Sequence, residues 1–315
     1  MANLSDHFDG RRFFNPWGSS AKSLVDVLRW KLAGGAEPWP SRVVDAPSPP
    51  LPELGPDQCS VTFLGHASLL WRLPGLTVLT DPIFSRRASP FSWIGPARVR
   101  PAAFGAAGLP SVDTVLVSHN HYDHMDLPTL RSLAARGVST VVAPLGNGKT
   151  LRAAGFARVI ELDWWEPVEI AGGRVTLTPA QHWSSRSPFD RNRALWGGFK
   201  MDAGGRSAFF PGDTGYGPHF KIIQERLGPV DLAALPIGAY EPRWFMASMH
   251  MDPFDAVQAH RDLGARASAA MHWGTFHLTD EGIEAPLRRL ESARTAAGLA
   301  PEAFRILAHG ESWIP

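Results

Sequence analysis

Cysteine is almost absent from this sequence. The single Cys59 in 315 residues excludes a disulfide within the chain and a thiolate cluster that could hold a metal. A reducing compartment is therefore the expected setting. Long apolar runs are missing as well. Nothing approaches the roughly 18 consecutive apolar residues of a membrane-crossing helix, and the first residues, with Asp6, Asp9, Arg11 and Arg12, contain no signal-peptide core. Nor does one sign of charge dominate. The 31 Lys and Arg against 30 Asp and Glu leave a net +1, which gives no broad phosphate-binding field and no reason to expect a nucleic-acid partner. What the chain has in abundance is tryptophan and proline, 12 and 28 residues. So many Trp build either a large aromatic core, the default, or an amphipathic surface that meets lipid.

Residues 1–55 read as an irregular arm packing on the body. In it, Phe13 to Trp17 is apolar and loop-like. Ser20 to Leu32 has helical spacing, with Leu24, Leu28 and Leu32 four apart among Lys22, Arg29 and Lys31. The arm either clamps onto the body or lies on a membrane surface. Ala46 to Pro56 is a proline-rich linker, and 56–315 form one body. Strands are expected at Val61–Leu70 and Leu76–Asp81, around a tight turn at Pro74-Gly75, and at Thr114–Val117, Thr140–Ala143, Arg158–Leu162 and Arg174–Thr178. Further strands are expected at Leu195–Met201, Ser207–Phe210, Asp231–Pro236, Ala267–His272 and, last, Phe304–Leu307. Helices are expected at Leu127–Arg136, Lys149–Ala154, Phe220–Arg226, Pro253–Asp262 with Asp252 as N-cap, and Glu281–Ala297. Helices falling between strands in both halves predict two sheets packed face to face with helices outside.

The chemistry is concentrated in His119-Asn120-His121-Tyr122-Asp123-His124, directly after the apolar strand Thr114–Val117. Buried His and Asp must be paired or bound to metal, and a solvated turn has no need of alternating imidazoles. His119 and His121, two apart on extended backbone, share a side. Asp123 and His124 follow once the chain has begun to turn and can face a second ion. Four more strands end in a candidate ligand: Val78–Asp81, Leu177–His182, Ala208–Asp213 and Ala269–His272. Each alone is weak, but the order of all five is not.

That order resembles the metallo-β-lactamase superfamily, an α/β fold built as a four-layered αββα sandwich with a dinuclear site at one edge. The stretches Ser118–His124, Gln181–Trp183, Leu195–Gly197, Gly212–Tyr216, Ile237–Met246 and His272–Phe276 are more closely similar to its N-acylphosphatidylethanolamine-hydrolysing phospholipase D branch. Asp81–Phe84, Glu161–Trp165, Asn15–Trp17 and His309–Ser312 fit too, so the resemblance runs from near Gly10 to the C-terminus.

The resemblance implies two zinc ions, with manganese and iron as alternatives for such ligands. His119, His121 and His182 would hold the first, Asp123, His124 and His272 the second, and Asp213 would bridge them. It implies a phosphodiesterase of phospholipase D type, in which a metal-bridging hydroxide releases phosphatidic acid and the head-group alcohol. His250 would protonate the leaving alkoxide, Tyr122 would reach a phosphate oxygen, and Asp81 would orient a metal-binding His. Glu241 and Arg243 are expected to pair locally, Arg186 to lie in a solvated loop, and His66, read as mid-strand, to be structural. Ala247, Ser248, Met249 and the Ser184–Asp190 loop depart from the family pattern, which opens the substrate to a related glycerophospholipid. The alternative is a metallo-hydrolase acting on a lactone or soluble phosphodiester. A phospholipid partner, peripheral contact at the inner membrane face of an otherwise cytoplasmic protein, and a homodimer complete the expectation.

Overall fold

The computed structural model describes residues 5–18 and 22–315. Two seven-stranded sheets make up its middle. The first contains β1 (Ser60–Gly65), β2 (Ser68–Leu73), β3 (Leu76–Thr80), β4 (Thr114–Leu116), β5 (Thr140–Pro144) and β6 (Arg158–Leu162) in chain order, with β14 (Ser312–Trp313) added beside β1. The second runs through β7 (Pro167–Ile170), β8 (Gly173–Thr178), β9 (Gly198–Ala203), β10 (Arg206–Phe210), β11 (Leu232–Pro236), β12 (Ala267–Met271) and β13 (Phe304–Arg305). Helices α2 (Leu127–Ala135), α3 (Gly148–Ala153), α4 (His219–Leu227), α5 (Arg243–Met246), α6 (Pro253–Asp262) and α7 (Ala285–Ala297) fill the connections, and α1 (Leu24–Ala33) belongs to the arm.

The strand directions place the site. β1 is antiparallel to β2 and β2 to β3, while β3, β4, β5 and β6 are parallel. β1, β3 and β4 therefore finish at the same edge. In the second sheet β8 and β10 both oppose β9, and β10, β11 and β12 are parallel. β8, β10 and β12 thus share a direction. Each ligand-ending strand of a sheet delivers its C-terminal residue to one edge, the usual location for a site in parallel sheet.

Between the sheets lies an aromatic core in which Trp71, Trp196, Phe63, Phe199, Phe209, Phe210 and Phe220 are fully buried. Of the tryptophans, Trp93 and Trp244 are exposed, so most of this residue's excess serves packing. The arm follows the body closely. His7 stacks on Trp164 and reaches the Asp163 carboxylate at 2.8 Å, Phe13 is buried, and the Trp39 indole donates to the Glu281 carbonyl at 2.9 Å.

Several boundaries differ from expectation for local reasons. The apolar stretch Val61–Leu70 is two strands, because the chain turns at His66-Ala67 with His66 in the left-handed region (φ 56°). Helix α7 begins at Ala285 rather than Glu281. Pro286 sits in its first turn, and the Glu281 carboxylate instead accepts the backbone N–H groups of Ala239, Tyr240 and Glu241. β7, β14 and the one-turn α5 carried too few residues to register, and β14 rather than β13 is last. α1 starts at Leu24, where Ser23 and Asp26 form a reciprocal capping box; the expected start at Ser20 lies outside the described residues.

Candidate metal centre

Backbone geometry sets out the site before any side chain is considered. After β4 the chain makes a helical turn, with the N–H groups of His124 and Met125 both donating to the His121 carbonyl at 3.2 and 2.8 Å. This turn brings His121, Asp123 and His124 to the edge where β10 and β12 end. Gly212 (φ +63°) allows the approach. A Cβ there would lie 2.5 Å from the Ser118 Cβ, so only glycine lets Asp213 come this close to the histidine loop.

Among the described residues four overlapping groups of donor atoms result, Asp81 with His119 and His124 and His182 with Asp213 and His250 being two of them. His119, His121 and His182 each offer a nitrogen, all within 4.8 Å of one another. Asp123, His124, His272 and His66 form a second set by the same measure. Asp213 lies between them: Oδ2 is 3.1 Å from His124 Nε2 and 3.8 Å from His182 Nε2, and Oδ1 is 3.1 Å from His272 Nε2. His250 Nδ1 is 3.9 Å from the same Oδ2.

The outer nitrogens are already committed, which fixes the tautomers. Asp81 accepts from His124 Nδ1 at 2.6 Å and from the backbone and hydroxyl of Ser118 at 2.7 and 2.5 Å. With the Ser118 proton so used, His119 Nδ1 donates to its Oγ at 2.9 Å. His182 Nδ1 donates to the Met249 carbonyl at 3.0 Å. All three rings therefore present Nε2 inward, the arrangement expected of metal-ligating imidazoles.

The inner atoms crowd one another: His121 Nδ1 lies 2.8 Å from His119 Nε2 and 3.3 Å from His182 Nε2, and other polar atoms of the cluster go unpartnered. His121 Nε2, His124 Nε2, Asp213 Oδ1 and both ring nitrogens of His272 are buried without a hydrogen bond. Such crowding of imidazoles and carboxylates, with buried atoms unpartnered and no thiolate, is a donor set that fits divalent metal. The electrostatics agree. Burial pushes His182 down to about 3 and His121 to about 4, and lowers His119 well below the usual imidazole range with help from His124, His121 and His182. These rings are neutral, as ligands must be. Burial also opposes charge on His124, but Asp213 and Asp123 outweigh it and hold His124 well above the ordinary value. In turn His124 overcomes burial to keep both carboxyls ionised. One proton on His124 thus stands where positive charge is wanted.

Other expected residues land in varied places. His250 borders the same cluster, its carbonyl held by the Arg243 guanidinium at 3.0 Å. That guanidinium pairs with Asp255 at 2.7 Å, not with the Glu241 carboxylate, which takes only the Arg243 backbone N–H. Tyr122 turns away from the cluster. Its hydroxyl donates to the Arg186 carbonyl at 2.8 Å and its ring lines a different hollow with Met125 and Pro90, so the expected phosphate contact is not made in this arrangement. The reason is the helical turn, which points residue 122 opposite to its neighbours. Arg186 is not a solvated loop residue either. It stacks over Tyr122 and donates to the Asn120 and Met125 carbonyls at 2.9 and 2.8 Å, clamping the histidine loop. The arm contributes Asn15, whose amide donates to the His182 carbonyl at 2.8 Å. His66, expected to be structural, is buried beside the cluster with its Nε2 2.9 Å from Asp123 Oδ2, a contact that the mid-strand reading does not foresee. Gly65-His66, a turn pair within an apolar run, was the signal that could have found it.

A family model described as the beta-lactamase superfamily domain matches residues 77–273. An N-acyl-phosphatidylethanolamine-hydrolyzing phospholipase D 1 from Caenorhabditis elegans is 40% identical over 265 residues, covering 80% of this chain and 74% of that protein. The chain belongs to the metallo-β-lactamase superfamily. Within it, the chain falls in the N-acylphosphatidylethanolamine-hydrolysing phospholipase D-like branch. A mitochondrial phospholipase D of the same description from Saccharomyces cerevisiae is 36% identical over 237 residues, 73% of this chain and 50% of that protein. Among solved structures, a metallo hydrolase from Ignicoccus hospitalis superposes with a TM-score of 0.61 at 20% identity, over 82% of this chain and 98% of that one, a likeness of fold. By family the chain is a metal-dependent hydrolase, and its two mixed sheets with flanking helices are the αββα sandwich of the metallo-β-lactamase fold.

Proposed function

We propose that this protein is a dinuclear phosphodiesterase of phospholipase D type that hydrolyses N-acylphosphatidylethanolamine or a related glycerophospholipid to phosphatidic acid and the head-group alcohol. The observation that carries the reading is a cavity of about 290 Å³ that opens directly onto the candidate metal centre. Its inner wall is His121, Asp123, His182, Asp213 and His250; its outer wall is Val27, Trp30, Phe245, Met246, Met249 and Leu278. Polar reacting groups at the bottom and an apolar wall above suit a phosphate attached to acyl chain.

His119, His121 and His182 would hold one ion, Asp123, His124 and His272 the other, and Asp213 both, with zinc best matched by the donors and manganese or iron compatible. Such a pair, when bound, supplies an acidified water and positive charge toward phosphate oxygens. Asp123 and Asp213 offset part of that charge, so the site retains attraction for an anionic phosphodiester. Asp81, Ser118 and the Met249 carbonyl keep the imidazoles oriented, so little reorganisation is needed as substrate enters.

His250 is the group for the leaving side. Burial pushes it down to about 3, so it enters the reaction as a neutral imidazole. A bound phosphate anion beside it favours proton uptake, and the imidazolium then donates to the departing alkoxide. His250→Gln is expected to keep the metal content of the parent and to lose about 10²–10⁴-fold in turnover, the range for a general acid. Steady-state kinetics with metal analysis checks this, and unchanged turnover rejects the role.

The apolar wall continues to the outside. Val27 and Trp30 of α1 pack on Phe245 and Met246, while Val25, Leu28 and Leu32 of the same helix are exposed beside Arg29 and Lys31. No helix among the described residues is long and apolar enough to cross a membrane. The cavity mouth is thus bordered by an amphipathic helix suited to lie in a lipid surface, which supports peripheral contact at the inner face of a membrane. One experiment tests both parts. Purified protein, with a chelated control, is incubated with phospholipid vesicles, a lactone and a soluble phosphodiester; products are read by mass spectrometry and vesicles sedimented. Metal-dependent phosphatidic acid and protein in the pellet are expected. Turnover confined to a soluble substrate overturns the lipid reading, and recovery wholly in the supernatant overturns the membrane contact.

A further inference from the structure

We infer that His66 is a positioning residue that joins the two sheets at the second metal position, fixing Asp123 with its side chain and His272 with its backbone. This rests on the two-ion reading above. His66 is 2% exposed and stands at the hairpin turn between β1 and β2. Its φ of 56° is a conformation costing a non-glycine residue of order 1 kcal/mol or more, found where surrounding structure demands it. Three bonds supply the demand. The ring Nε2 donates to Asp123 Oδ2 at 2.9 Å, the carbonyl accepts from the His272 N–H at 2.8 Å, and the N–H donates to Thr275 Oγ at 2.8 Å.

The two ligands so held come from opposite sheets. Asp123 follows β4 of the first sheet and His272 follows β12 of the second. His66, at the end of β1, bridges them, and its ring packs 4.0 Å from that of His272 and edge-on to Phe276. The arrangement matches what Asp81, also at positive φ (37°), does for His124 from the end of β3. Ligand orientation of this kind is worth about 10–100-fold in metal affinity. In the first group, by contrast, His119 and His182 are backed by Ser118 and the Met249 carbonyl, neither of which touches His66. The effect should therefore fall on one ion and spare the other.

The test compares the parent chain with His66→Asn and His66→Gln. Asn tolerates left-handed backbone, so the fold is protected, but its amide is too short to reach Asp123; the Gln amide extends to the position of Nε2 and can donate there. Each protein is stripped, titrated with zinc against a chromophoric chelator, and its ions counted by mass spectrometry. The parent is expected to take two ions. His66→Asn should keep the tighter step and lose about 10–100-fold in the other, with His66→Gln recovering part of the loss. Two unchanged affinities in His66→Asn overturn the inference alone. A parent that binds a single ion overturns the two-ion reading and, with it, this one. Should His66→Asn fail to fold, as read by its circular dichroism, the Gln variant decides: a weakening confined to one step upholds the role, and two unchanged affinities or equal weakening of both steps reject it.

Discussion

Asp213→Asn is expected to lower phospholipid turnover by on the order of 10³-fold or more, the scale of losing an electrostatic group at a reacting centre. The substitution keeps shape and removes one negative charge. That charge is 3% exposed and lies within 3.1–3.9 Å of nitrogens from His124, His272, His182 and His250. The neighbouring carboxylates are placed differently: Asp123 approaches His124, His272 and His66, and Asp81 is committed to His124 and Ser118. On the proposed two-ion reading, losing the Asp213 charge would leave the repulsion between the ions less offset, and neutral imidazoles do not relieve it. Metal analysis of the variant should therefore find fewer than two ions per chain, and activity should not return with excess zinc. A variant that keeps both ions and parental turnover would show that Asp213 is a packing residue. The same substitution also tests the strand-end logic, since Gly212 and the close approach it permits are left untouched.

The candidate cluster was legible because its signals are chemical and local. Alternating His119 and His121 behind an apolar strand, and an ionisable residue at the end of each of four other strands, are hard to reconcile with packing. Parallel strand direction then brings them to one edge. The sandwich was legible from helices falling between strands. What sequence missed depends on backbone sign or on partners distant in the chain. His66 was hidden because an apolar run from Val61 to Leu70 looks like one strand unless the positive φ at Gly65 and His66 is known. Tyr122 sits elsewhere than expected because the helical turn after His121 carries it to the side away from Asp123 and His124. Arg186 and Asn15 hold carbonyls of Asn120, Met125 and His182, and backbone partners carry no side-chain signature. Arg243 found Asp255 instead of its neighbour Glu241 because one-turn α5 carries its side chain toward the start of α6.

Metal removal should cost the fold as well as the activity, and the cost should grow with pH. Stripped protein leaves His124 Nε2, His272 Nε2 and Asp213 Oδ1 buried without hydrogen bonds, each worth about 1–3 kcal/mol of unrelieved desolvation. At a free metal concentration near a thousand times Kd, loading contributes about 4 kcal/mol, and at about 1.5 °C per kcal/mol for a chain of 315 residues Tm should rise by about 6 °C. The pH dependence follows from His124. Its pKa in the metal-free fold is raised, because Asp213 and Asp123 prevail over burial. That raised pKa stabilises the metal-free fold in full below the unfolded imidazole value, and the contribution is lost as pH rises through the folded value. His124 must give up this proton to bind metal, whereas His121 and His182, pushed to about 4 and about 3 by burial, have none to release near neutrality. Loading therefore becomes easier with rising pH by up to tenfold per unit while His124 is protonated. Differential scanning calorimetry of loaded and stripped protein from pH 6 upward should find the gap in Tm widening, then levelling once His124 is neutral in both forms. A gap that stays constant would mean that no ligand proton is exchanged, and a gap that narrows would reverse the assignment of charge to His124.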